Sequence, residues 1–210
     1  EILDGAARST VLLANATNAD FSVAASVATD SMALFGIQAS DMAQAVNGIT
    51  GVTIASKFGI NDYALALAQG GGVAAAVGVS FDDFNTTIAA ISPYFGSGSD
   101  AGTSFKTFLQ RLVPASGAAT TAMKELGLIT EDGRNQFYDA SGNMRSMSEI
   151  SALLGTALGG LTEEQKTSTL STIFGTDAMR AAVALAESGA GQFDAMAASI
   201  AGVNAETAAA

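Results

Sequence analysis

The sequence has no cysteine and no histidine. Together these absences remove disulfide staples, thiolate nucleophiles, serine-histidine-aspartate triads and ordinary zinc sites. They fix no compartment, because reducing and oxidising surroundings both tolerate a chain without cysteine. Proline is nearly missing as well, with only Pro93 and Pro114, so fixed kinks are few. Basic residues are scarce: 9 Lys and Arg stand against 20 Asp and Glu, a net charge of -11. Through Phe105 only Arg8 and Lys57 oppose nine carboxylates. Nucleic-acid binding neutralises phosphates with Lys and Arg. This chain repels a phosphate backbone, and the plainer reading of its acidity is a solvated surface that keeps it soluble.

What is present is small and apolar. Of 210 residues, 49% are hydrophobic, many of them alanine, and 23 are glycine. Alanine favours helix, while glycine supplies breaks and close approaches. The length suffices for a real core. The composition therefore predicts a mostly α fold, a compact array of short helices. The chain opens at Glu1 without a charged, apolar, small-residue leader, so it reads as a segment of something longer.

A recurring element organises the pattern: apolar residue, glycine, apolar residue, with Asp or Asn within a few positions. Its copies centre on Gly36, Gly59, Gly78 and Gly127. A glycine in the left-handed conformation just past a helix, followed by an apolar residue folding back, is a common helix stop. The four glycines are thus expected to be elbows between helices. Apolar spacing predicts a helix from Asn18 to Phe35, a second capped by Ser40 and ending before Gly51, and a third from Asp62 to about Gln69. Gly70-Gly71-Gly72 then marks a break or very tight packing, since each glycine in a helix interior loses about 1 kcal/mol relative to alanine. Ser80 with Asp83 has the pattern of a capping box, opening a helix with Phe81, Phe84, Ile88 and Ile91 on one face. Gly96 to Asp100 reads as a loop, and Gly102-Thr103-Ser104 opens an amphipathic helix that Pro114 ends.

Beyond the last elbow the texture changes. Aromatic Phe137 and Tyr138 with Asp139-Ala140-Ser141-Gly142-Asn143 predict a small β-hairpin near residues 135–146. The boxes Ser146/Glu149 and Thr162/Gln165 then start two helices, and the tail breaks at Gly175 and again near Gly189 to Gly191. The expected division is 1–128 as a helical core subdomain, 129–146 as the hairpin insertion and 147–210 as a C-terminal helical part.

Candidate chemistry is thin. The carboxylate pairs Asp82-Asp83, Glu131-Asp132 and Glu163-Glu164 are adjacent in sequence, and adjacent helical residues point about 100° apart, so they suit helix N-termini better than acid/base catalysis. The Asp139 to Asn143 loop lacks the alternating ligands and closing Glu of a calcium loop. No cofactor or metal site is expected. The uncharged run from Tyr63 to Phe81 is long enough to span a bilayer, and Gly70, Ala74 and Gly78 share the small-xxx-small spacing of packed membrane helices. Its four glycines and missing basic flanks favour a tightly packed helix pair instead.

Three blocks carry a family resemblance. They are Val27-Ala28-Thr29-Asp30-Ser31-Met32-Ala33-Leu34-Phe35-Gly36, Gly98-Ser99-Asp100-Ala101-Gly102-Thr103-Ser104-Phe105-Lys106 on to Leu112, and Phe137-Tyr138-Asp139-Ala140-Ser141-Gly142-Asn143 leading into Met147 to Leu154. In this order and spacing the chain resembles the core region of phage tail tape measure proteins, a family found also in tail-like particles and gene transfer agents. The resemblance implies a structural virion protein, not an enzyme, located at the tail tip or in the tail lumen. There the whole chain sets tail length during assembly and takes part in genome ejection. It implies a homo-oligomer of three copies that meets tail hub, distal tail and tail tube proteins, with Asp100, Gly102, Thr103, Lys106 and Arg111 as candidate partner contacts. A ruler is a long helix at about 1.5 Å per residue. Glycine elbows forbid a long rod here, so this segment is expected to be a folded anchor. Two other readings stay open: a membrane-active segment through Gly70, Ala74 and Gly78, and part of a peptidoglycan-degrading tail protein using Glu149 or Glu163.

Overall fold

The computed structural model describes residues 2–210, with side chains from Gly5 onward. Its helices are α1 (Ile2–Thr17), α2 (Phe21–Phe35), α3 (Met42–Ala55), α4 (Ile60–Ala66), α5 (Gly72–Ala76), α6 (Phe81–Ile91), α7 (Gly98–Arg111), α8 (Gly117–Glu125), α9 (Met147–Leu158), α10 (Glu163–Ala201) and α11 (Ala205–Ala208). The fold is mostly α, as composition requires. Glu1 lies outside the described residues.

Local chemistry accounts for most boundaries. Gly36 (φ 67°), Gly78 (φ 90°) and Gly127 (φ 70°) are left-handed. After each, the next residue's N–H reaches back to a carbonyl in the preceding helix: Ile37 to Met32, Val79 to Ala74 and Leu128 to Met123. This is the hydrogen bonding of a glycine-terminated helix. Ser97, Ser116, Ser146 and Thr162 each accept the N–H three residues on, and the last two are full capping boxes.

Several boundaries differ from the sequence reading, for reasons of packing or capping. Gly59 is not left-handed: its φ of -76° and ψ of -179° are extended, and it stands at the N-cap of α4 rather than after a helix. Gly51 does not end α3, which continues to Ala55. A methyl at Gly51 would lie 2.7 Å from the Ile200 side chain, so this glycine admits α10. Of the two readings of the triple glycine, the structure shows tight packing and no break: a methyl at Gly70 would lie 2.9 Å from the Gly102 carbonyl oxygen. A π turn, Leu67–Gly71, joins α4 to α5 in one helical run. The Gly96 to Asp100 loop is shorter than its composition implies, because α7 already begins at Gly98 behind the Ser97 cap. The hairpin near 135–146 is reduced to tight turns, each closed by a single antiparallel bridge, Ile129 with Asn135 and Tyr138 with Met144. Asp83 does not complete a box with Ser80. Its Oδ2 instead accepts the Met147 N–H at 3.0 Å, tying α6 to the start of α9.

The core runs through all three parts of the chain. One buried cluster extends from Leu13 to Ala205, and α10 packs on α9, α7, α6, α3 and α8. Helix α6 sits near its centre, with every residue from Phe84 to Ala89 buried, Asn85, Thr86 and Thr87 included. Aromatic rings form a continuous path: Phe35 to Phe84 (5.4 Å), Phe84 to Phe105 (6.2 Å), Phe105 to Phe108 (6.4 Å) and Phe108 to Phe174 (5.2 Å). That path links α2, α6, α7 and α10. Helix α10 is interrupted twice, because Gly175 (φ 74°, ψ 174°) and Gly189 (φ 53°, ψ -173°) adopt backbone angles open essentially to glycine alone.

Candidate interaction surfaces

The feature that positions the surfaces is a helix crossing. Helices α4 and α7 approach so closely that a methyl at Gly98 would lie 1.8 Å from the Asp62 carbonyl oxygen, and one at Gly102 would lie 2.5 Å from that of Ala66. A methyl at Gly70 would lie 2.9 Å from the Gly102 carbonyl oxygen. The contact is therefore backbone against backbone, with Asp62, Ala66 and Gly70 facing Gly98 and Gly102 at spacings of four. The Gly98 N–H donates to Asp62 Oδ1 at 2.8 Å, which gives the start of α7 an acidic partner from another helix.

This crossing relocates two sets of residues. Gly70 and Ala74 face inward and are buried, while Gly78 ends the run in its left-handed turn. The small-residue spacing of that segment thus serves a helix pair within the chain. No helix among the described residues is long and apolar enough to cross a membrane. Among the candidate partner contacts, Gly102 is buried in the crossing, so it is withdrawn from the surface. Asp100 is exposed, and Thr103, Lys106 and Arg111 are half-buried. Neither Lys106 nor Arg111 forms an ion pair among the described residues. Arg111 occupies the last turn of α7, beside Leu112 and Val113, and Val113 is 57% exposed. Asp62, Ala66 and Gly98 escaped the sequence reading, although Ala66-x3-Gly70 and Gly98-x3-Gly102 carried the signal as matching spacings.

A groove of about 670 Å³ runs between the Gly127 elbow and the outward side of α9. Leu126, Leu153, Ala157 and Leu161 line it, and the Arg145–Glu149 pair (3.0 Å) stands at its edge. Leu126, before the elbow, is half-buried and Leu128, after it, is buried, and both line the groove.

The carboxylates occupy structural positions. Glu149 accepts the Ser146 N–H and hydroxyl, and these bonds hold its carboxyl below the usual range. Glu163 pairs with Lys166 at 2.7 Å. Asp132 takes the Thr130 hydroxyl, then pairs with Arg134, and is lowered by both. Asp139 closes its own turn by accepting the N–H groups of Asn143 and Ser141, which lowers it too. Asp83 moves the other way, raised first by burial and further by Asp82, Asp194 and Glu149. No group of His, Cys, Asp and Glu suited to a metal occurs among the described residues.

The fold and these surfaces define a helical packing module built on close glycine crossings. The chain belongs to the family of phage-related minor tail proteins, whose family model matches residues 1–175. It is similar to the tape measure protein of Pneumococcus phage Dp-1, with 28% identity over 184 residues, which is 88% of this chain and 15% of that protein. The chain thus spans a small fraction of the length of that relative. No solved structure matches. The protein is a structural component of a phage tail.

Proposed function

We propose that this chain is the folded anchor of a tail tape measure protein: a module at the tail tip that docks on hub, distal tail and tube proteins as a small oligomer, while the length-measuring rod lies elsewhere in the chain. One observation carries this reading. The described chain is interrupted by positive-φ glycines at Gly36, Gly78, Gly127, Gly175 and Gly189, and its helices bury one shared core. A ruler needs an uninterrupted helix rising 1.5 Å per residue, and this architecture has none. Exposed Asp100 and half-buried Thr103, Lys106 and Arg111 remain the proposed partner contacts, joined by Val113. The module is structural, not catalytic, and its net charge of -11 keeps it from gripping DNA that passes during ejection.

Deleting this segment from the full-length protein tests the proposal. If the segment measured length, its loss would shorten tails by about 1.5 Å per residue deleted, roughly 300 Å in all. The anchor reading predicts instead that tails fail to initiate, or form without a defined tip. Uniformly shortened, otherwise normal tails would overturn it.

A further inference from the structure

The charge of the chain reverses locally in α7 and α8. From Ala101 to Lys124 there is no carboxylate, and Lys106, Arg111 and Lys124, three of the nine cations, fall there. Helix α8 closes this stretch and buries Ala119, Ala122 and Met123, packing on α10. Its exposed residues are Gly117, Ala118, Thr121, Lys124 and Glu125. The first half of that outer face has no side chain large enough to hold another helix away.

The two ends of α8 carry unlike features. Before its start stand Arg111, which forms no ion pair among the described residues, and Val113, more than half exposed. At its far end opens the groove of about 670 Å³ that Leu126, Leu153 and Leu161 line. Arg145 and Glu149 in that lining satisfy each other at 3.0 Å. Glu125 lines the groove as well and has no cation partner among the described residues. One end thus offers a cation beside an apolar tip, and the other an apolar groove with an unmatched carboxylate. Within one molecule the nine residues of α8 hold the two ends about 13 Å apart.

We infer that the occupant of the groove is the Arg111 to Val113 corner of a second copy of this chain. A two-fold axis through the middle of α8 sets the helices of two copies antiparallel, and each start of α8 then lies against the other's end. Arg111 meets the partner subunit's Glu125, Val113 enters the partner subunit's groove, and Thr121 faces the partner's Thr121 across the axis. Such a contact uses the same patch on both copies and closes at two. Charge favours a copy in this place. A chain of net charge -11 repels its own kind over most of its surface, and the carboxylate-free stretch is where that repulsion is weakest, with one unmatched charge of each sign to fix the alignment. This pairing deepens the small oligomer proposed above and rests on that reading for its setting. It assigns the Arg111 and Val113 end of α7 to self-contact, leaves Asp100, Thr103 and Lys106 to other tail proteins, and puts a pair where the resemblance implies three copies.

Sedimentation of the 210-residue chain tests the pairing. We expect a concentration-dependent equilibrium between the 20.9 kDa chain and a particle of twice that mass. Arg111→Glu or Glu125→Arg alone should weaken the pair at least about tenfold, and the two together should restore it, because opposite charges meet again across the contact. As the sequence has no cysteine, Thr121→Cys gives a second readout. Under mild oxidation it should link two chains, whereas Gln69→Cys, exposed far from α8 in sequence, should not. A chain that stays monomeric at near-millimolar concentration has another occupant in its groove and overturns the pairing. So does a trimer, a pair that survives Arg111→Glu, a double reversal that restores nothing, or a Thr121→Cys chain that fails to cross-link. A monomer would leave the anchor reading standing, and uniformly shortened tails would leave the pair standing, so the two failures are distinguishable.

Discussion

Tyr63 illustrates how much one buried hydroxyl decides. It donates to buried Asn85 Oδ1 at 2.6 Å. Tyr63→Phe removes the donor and strands Asn85 Oδ1, so we expect about 1–3 kcal/mol of lost stability. The urea midpoint should fall with the slope of the transition unchanged. The same residue gives the fold an alkaline limit. Burial raises the Tyr63 phenol far above its usual value. Tyr94 is pushed up to about 12, chiefly by its hydrogen bond to Glu187. In both cases the folded pKa exceeds the unfolded one. The stability each contributes is fully present below pH 10 and declines as pH rises above it, because the unfolded chain releases its proton first. Denaturation followed from pH 8 to 12 should show this decline, and Tyr63→Phe should lessen it. The sequence did not reveal this residue's role: Tyr63 stands there only as the start of an uncharged run, and its partner Asn85 lies 22 positions away on another helix.

Among the elements, the glycines divide into kinds that sequence alone does not separate. Gly36, Gly78 and Gly127 need a positive φ, and alanine there should lose about 1–2 kcal/mol each through the left-handed backbone penalty. Gly59 has an ordinary extended backbone and nothing within 4 Å of where an added methyl would stand, so Gly59→Ala should change stability by less than about 1 kcal/mol. Gly98 has an allowed backbone but no room: a methyl there would overlap the Asp62 carbonyl. Gly98→Ala should therefore be the most damaging of the five, about 3 kcal/mol or more, by forcing α4 and α7 apart. Thermal melts of the five single variants check the order. Helix stops were legible because glycine followed by an apolar residue and a cap is a local signal. Crossings were legible on one side only: Gly70 to Gly72 suggested tight packing, but Gly51, Gly98 and Gly102 answer to partners far along the chain, and a glycine that admits a neighbour looks the same as one that ends a helix. The hairpin is slighter than its sequence suggests for a related reason. Its turn residues are real, but residues 129–146 supply only one bridge to each turn, and the segment is held by tertiary ties such as Asn135 Nδ2 to the Leu112 carbonyl at 2.7 Å.

At the scale of the whole molecule, fold class and family followed from composition and three sequence blocks, whereas the shared core did not. The expected parts 1–128, 129–146 and 147–210 contribute to one buried cluster, and Phe174 of the last part meets Phe108 of the first at 5.2 Å. Of the residues expected to meet partners, Asp100, Thr103, Lys106 and Arg111 keep some exposure, while Gly102 serves the crossing beneath them. Reversing the two cations, Lys106→Glu with Arg111→Glu, should leave the melting temperature nearly unchanged while reducing incorporation of the protein into tails at least several-fold. Comparing melts with particle composition separates the two effects.

The central claim is that this chain is folded and stationed at the tail tip instead of lying extended along the lumen. Cryo-electron microscopy of intact particles tests it most directly, with density for residues 18–193 sought along the whole tail. The account predicts compact helical density at the distal end, in which α4 and α7 cross backbone to backbone. Continuous rod-like density for these residues running up the lumen would contradict it.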